Sequence, residues 1–196
     1  MQPLKVNLFQ AYYNARKNKR NTHNQLQFEI NYEKNLWQLY EEIVSKKYAV
    51  GKSIAFIVNK PVKREIFAAD FRDRVIHHLI FLYINPILEP KFINDSYSCR
   101  KNKGTHYGIQ RASEFLKKIS NNYSSNAYVL KLDIKGYFMS IDKIKLLLKL
   151  KNMITRQEFD KKYKVTPHNI GLELDYDTLF YLIEEVVYND PTQNCK

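Results

Sequence analysis

Tyr128-Val-Leu-Lys-Leu-Asp-Ile-Lys-Gly-Tyr-Phe-Met-Ser-Ile-Asp142 is the stretch on which the reading of this chain turns. Its first five residues are mostly apolar and β-favouring, which predicts a short strand that delivers Asp133 at its end. A carboxylate there, followed within five positions by Tyr137 and Phe138, offers a ligand to a hard cation and a flat wall beside it. An aspartate after a strand is also a common turn or helix cap, so both roles stand open for Asp133.

Outward from this stretch the apolar spacing is mostly helical. Downstream, the chain turns helical at Asp142, with Ile144, Leu147 and Leu148 inward. Thr155-Arg-Gln-Glu158 has the spacing of a capping box, and Asp175 or Asp177 can cap a last helix with Leu179, Leu182, Ile183 and Val186 apolar. Upstream, Thr105 can cap a helix that buries Ile109, Ala112, Phe115, Leu116 and Ile119, after a polar loop over 94–104. Asp73 to Ile84 puts Val75, Ile76, Leu79, Ile80 and Tyr83 on one face and should end at Pro86. Ser53–Val58 and Arg64–Ala69 flank Asn59-Lys-Pro-Val-Lys63, which reads as a hairpin with a basic turn. Gln25 to Lys47 carries Phe28, Tyr32, Leu36, Leu39, Tyr40 and Ile43 at one helical spacing, with Gly51 as a stop, and a shorter helix includes Leu8, Tyr12 and Ala15. Strands and helices alternate irregularly, so the expected class is α+β with helices in the majority.

The chain has 196 residues, 44% hydrophobic and 14% aromatic, which is enough for a folded core and too apolar for a disordered tail. Five glycines and no repeat or low-complexity run give no sign of a linker. Lys and Arg number 32 against 20 for Asp and Glu, a net charge of +12. Residues 1–100 hold 16 basic and 9 acidic residues and residues 101–196 hold 16 and 11, so the excess is spread through the body. Such a charge favours a polyanionic partner. An anionic membrane surface fits less well, because no helix pairs a basic face with a large apolar one. Cys99 and Cys195 form no CxxC pair, adjacent His77 and His78 diverge by about 100° on a helix, and no GxxxxGK loop occurs, which argues against a cysteine framework, a zinc site and a P-loop. No apolar run reaches the roughly 18 residues of a membrane span, and the start lacks a signal-peptide core, so a reduced cytoplasmic setting is expected.

The segment 130–142 resembles the first palm motif of reverse transcriptases. Two further segments match in the same order: Arg64-Glu-Ile-Phe-Ala-Ala-Asp-Phe-Arg-Asp-Arg-Val-Ile-His-His-Leu79 resembles a fingers motif of bacterial reverse transcriptases, and Phe92-Ile-Asn-Asp-Ser-Tyr-Ser-Cys-Arg100 resembles the "SYGFR-like" motif that follows it. The spellings "FRDRVIHH" and "SYSCRKNKGTH", with Tyr188-Asn-Asp-Pro-Thr192, look most like the enzymes of diversity-generating retroelements, relatives of group II intron and retron enzymes. The similarity covers roughly residues 50 to 196. It implies helix-rich fingers with a β-hairpin plus the start of a palm sheet: N-terminal helices over 1–50, fingers over 51–126 and a partial palm over 127–196.

By resemblance, Asp133 is the catalytic aspartate and a ligand of Mg²⁺ in a two-metal site, the Ile134 carbonyl reaches the metal, and Phe138 is a steric gate against ribonucleotides. Arg64 contacts the phosphates of the incoming dNTP, a task suited to a planar guanidinium. Its bland alternative is an exposed strand arginine. Lys60 and Lys63 at the hairpin tip, Arg72 and Arg74, and Arg100, Lys101 and Lys103 are candidates for gripping RNA template and DNA primer. Arg72 and Arg74 equally suit ion pairing with Asp70 and Asp73, and the lysines equally suit plain solvation. Arg16, Lys17, Lys19 and Arg20 form a further basic cluster that can meet phosphate or water. The sequence has no Tyr-x-Asp-Asp motif, the second carboxylate source of this family, nor the Gly- and Gln-containing palm motif or a thumb. It therefore looks like an N-terminal fragment, inactive alone, of a bacterial cytoplasmic RNA-directed DNA polymerase. The alternative is a non-catalytic RNA-binding module derived from such a domain. An accessory protein is a further partner the resemblance admits, and the oligomeric state stays open.

Overall fold

A computed structural model of the protein describes residues 3–17, 22–60, 63–134, 136–164 and 174–195. The class is α+β, with helices predominant and one two-stranded antiparallel sheet. The chain packs as two compact units, residues 1–87 with 143–196, and residues 88–142.

The first unit is built on α1 (Leu4–Arg16), α2 (His23–Ile30), α3 (Tyr32–Val44), β1 (Ile54–Val58), β2 (Arg64–Ala68) and α4 (Phe71–Leu88), joined by α6 (Lys143–Met153), α7 (Arg156–Tyr163) and α8 (Tyr176–Tyr188). Leu4, Leu8, Ala11, Tyr12 and Ala15 recur at three- and four-residue spacing and bury one face of α1, while Leu36, Leu39 and Ile43 do the same for α3. Phe71, Val75, Ile76 and Leu79 of α4 and Leu179, Leu182 and Ile183 of α8 complete this core. Rings extend it: Tyr12 and Phe28 pack edge-on against Phe71, and Tyr83 stacks on Phe159.

Sequence and structure part at two places here. The helical pattern from Gln25 to Lys47 breaks at Asn31, whose φ of −129° and ψ of 42° are not helical. The carbonyl of Phe28, freed at that break, accepts the Asn35 side-chain amide at 2.9 Å. Pro86 does not end α4, which continues to Leu88. A proline inside a helix costs about 3 kcal/mol. Burying Ile87 and Leu88 offsets a loss of this size, since each apolar side chain removed from water contributes about 1.5–3 kcal/mol. Thr155 and Glu158 form the reciprocal capping box, and Asp175 Oδ1 caps α8 by accepting the Thr178 N–H at 2.6 Å.

In the second unit the 3-10 turn Glu89–Lys91 leads into a loop and then α5 (Thr105–Ile119). The loop is held by charge-assisted hydrogen bonds. Arg100 donates to Glu89 Oε1 at 2.9 Å and to the carbonyls of Ile93 and Ser96 at 2.7 and 2.9 Å. Arg111 of α5 donates to both Asp95 oxygens, and Tyr97 donates to Asp95 Oδ1 at 2.7 Å. Gly108 of α5 faces the Tyr97 ring, where an added Cβ would sit in ordinary contact at 3.5 Å.

The expected apolar face of α5 is present but uncovered: Ile109 is 63% exposed and Ile119 65%. The expected strand at 128–132 does not form, and Tyr128, Val129, Leu130 and Leu132 stand exposed in irregular chain. A strand is stable only beside a partner whose amides and carbonyls complete its ladder, and no described residue pairs with this stretch. Ile144 and Leu148 of α6, expected inward, are also exposed, and Leu147 is the residue of that group that is buried. Among the described residues no helix is long and apolar enough to cross a membrane.

Candidate nucleic-acid interface

The segment that carries the expected chemistry is a local turn. Asp133 is exposed, and its Oδ1 accepts the N–H of Ile134 at 3.0 Å. No described side chain engages it. Gly136 then takes a left-handed conformation, φ 63°, which an L side chain adopts only with strain. Its carbonyl accepts the N–H groups of Met139 and Ser140, both at 3.1 Å, which closes the 3-10 turn Tyr137–Ser140. The turn holds the rings of Tyr137 and Phe138 edge-on at 5.2 Å, with Phe138 83% exposed. A carboxylate and a bare aromatic ring are thus presented within five residues of each other.

Arg64 begins β2 and pairs in register with Val58 at the turn end of the hairpin. Arg64, Lys60 and Lys63 are exposed, and no described residue engages their cationic groups. They belong to the first unit, whereas Asp133, Ile134, Phe138, Arg100, Lys101 and Lys103 belong to the second. Residues 61 and 62 of the basic turn, and Lys19 and Arg20 of the N-terminal basic cluster, lie outside the described residues. Arg16 of that cluster pairs with Glu29 at 2.8 Å and lies over the Tyr12 ring.

The remaining candidate cations differ in how free they are. Arg72 pairs with Glu42 and Asp73, donates to the Ala49 carbonyl at 3.2 Å and lies over the Tyr48 ring. Arg74 donates through Nε to the Ala69 carbonyl at 3.0 Å, which leaves its two Nη groups without a described partner. Arg100 is wrapped by the loop it organises, with its side chain 9% exposed. Lys103 is tied to Asn94, at 2.6 Å from its Oδ1. Lys101 stands in solvent. Internal pairing therefore occupies Arg72 and Arg100, while Lys60, Lys63, Arg64 and Lys101 are exposed and no described residue engages their cationic groups.

One buried polar group escaped the reading of the sequence. Asp73, fully buried at the start of α4, accepts from the Tyr48 hydroxyl at 2.8 Å and from the Gly51 N–H at 3.0 Å. Burial raises its carboxyl above the usual carboxylate value, against the opposing pull of the Tyr48 hydrogen bond and the Arg72 charge. Burial and the Asp73 charge push the Tyr48 hydroxyl up in turn. The only hint in the sequence is an aspartate set between two arginines, which also describes a solvated helix start. In the second unit, the Arg111 hydrogen bond holds the Asp95 carboxyl below its ordinary value.

Two Mg²⁺ ions need carboxylates that converge from more than one element. Among the described residues no group of three or more His, Cys, Asp or Glu gathers, so Asp133 and the Ile134 carbonyl do not by themselves complete such a centre. Searches against family models and against curated proteins return no match for this chain.

Proposed function

We propose that this chain is the fingers and first palm segment of an RNA-directed DNA polymerase of the bacterial reverse-transcriptase kind, working in the cytoplasm on an RNA template, a DNA primer and dNTPs. The observation that carries the reading is that Asp133, whose carboxylate no described side chain engages, and an exposed Phe138 lie at the spacing of the motif they resemble. In this reading Phe138 excludes the 2′-hydroxyl of the incoming sugar by volume, and Arg64 takes its phosphates. Lys60, Lys63 and Lys101 hold template backbone through charge. Mg²⁺, when bound by a complete carboxylate set, supplies charge neutralisation for phosphoryl transfer, and Asp133 is the ligand this chain contributes.

A second reading, a module that grips RNA without catalysis, rests on the net charge of +12 and the exposed cations alone. Both readings require polynucleotide binding. Titration of a labelled RNA–DNA hybrid at several salt concentrations tests that shared core. Affinity should fall steeply with salt as phosphate contacts release counterions, and binding indifferent to salt removes both readings. Incorporation of dNTP in the presence of the missing carboxylates separates them.

A further inference from the structure

A cleft of about 520 Å³ opens in the first unit between the N-terminal half of α2 and one face of the hairpin. Its apolar wall is Ile54 and Phe56, two residues apart on β1, with Ala68 opposite Ile54 in register. Phe56 is 47% exposed. Its polar wall is His23, Asn24, Gln27 and the Arg74 side chain. No described residue engages the amides of Asn24 and Gln27 or the two Nη groups of Arg74. The volume lies within the roughly 300–1,000 Å³ typical of small-ligand sites.

We propose that this cleft takes an unstacked nucleobase together with its phosphate. A π-face stacks on an aromatic ring whatever the base. Two side-chain amides offer paired donors and acceptors of the kind that read base edges. A guanidinium whose two Nη groups no described residue engages suits the attached phosphate, and the +12 charge of the chain draws such an anion in. The cleft uses none of the residues assigned above to the dNTP or the metal, and it reassigns Arg74 from general template grip to one phosphate. It rests on the polynucleotide reading only for the source of the base, a strand or a free nucleotide.

The test uses the 196-residue chain with two fluorescent probes, 2-aminopurine riboside monophosphate and an oligouridine carrying a single internal 2-aminopurine. Quenching of either probe on binding, with affinity lowered about tenfold by Phe56→Ala and restored by Phe56→Tyr, is the expected result. Gln27→Ala, an exposed change on α2, should weaken the same probe severalfold. Quenching of the nucleotide alone keeps the cleft and removes the strand as its source. An oligonucleotide that binds with salt dependence but is insensitive to both Phe56→Ala and Gln27→Ala overturns the cleft and leaves the polynucleotide reading standing. No quenching of either probe overturns the cleft outright.

Discussion

The Tyr48 hydroxyl donates to the buried Asp73 carboxylate at 2.8 Å, and Asp73 reaches on through its other oxygen to the Gly51 N–H. The start of α4 is thereby tied to the loop that enters the hairpin. The tie continues to α8, because Tyr181 donates to the Tyr48 carbonyl. Asn194 adds a further clasp, donating to the carbonyls of Val50 and Gly51 at 3.3 and 3.2 Å. The orientation of the hairpin that carries Arg64 thus depends on a polar knot beneath it.

Tyr48→Phe removes the hydroxyl and leaves a buried carboxylate short of a donor. Loss of about 1–3 kcal/mol of stability is expected, read as the shift in urea midpoint at unchanged slope. Nucleic-acid affinity measured below the transition should stay within twofold.

The raised carboxyl of Asp73 also sets a pH dependence. Because its folded value lies above the unfolded one, its contribution is complete at pH below about 3.8 and is lost as pH rises through the folded value. Asp73→Asn has no such proton to lose. The stability of the native chain relative to the Asn variant should therefore fall as pH rises above about 3.8, as followed by urea unfolding at fixed ionic strength.

Phe138→Ala should leave the melting temperature nearly unchanged, within about 0.5 kcal/mol, since the ring is 83% exposed and packs only edge-on against Tyr137. A buried ring would cost about 3–5 kcal/mol on truncation. In a polymerase that supplies the remaining carboxylates, ribonucleotide incorporation should rise relative to deoxyribonucleotide incorporation. Asp133→Asn in the same enzyme should abolish primer extension while preserving template binding.

Arg100→Ala and Lys101→Ala should differ in kind although the residues are adjacent. The first removes three hydrogen bonds that shape the loop, and should speed amide exchange across 92–104. The second touches only solvent and should lower the slope of log affinity against log salt by about one, with exchange unaltered.

Several elements were legible from local chemistry alone. The hairpin follows from two β-rich runs five residues apart, α1 and α8 from their apolar spacing, and the start of α7 from Thr155 and Glu158, because each signal acts within one turn or one strand pair. Net charge, a sum over residues, needs no fold. Tertiary structure decided the rest. Asn31 splits one apparent helix because its neighbour Asn35 caps the break, and Pro86 is carried through because Ile87 and Leu88 gain burial. Tyr128–Leu132 has the composition of a strand, but a ladder needs hydrogen-bonding groups from elsewhere in the chain, and no described residue supplies them. In sequence Arg72 suits ion pairing with Asp70 or Asp73 as well as template contact, and Arg100 reads the same as Lys101. Only packing distinguishes them, since whether a cation meets Glu42, Glu89 or open solvent depends on residues 30 and 11 positions away.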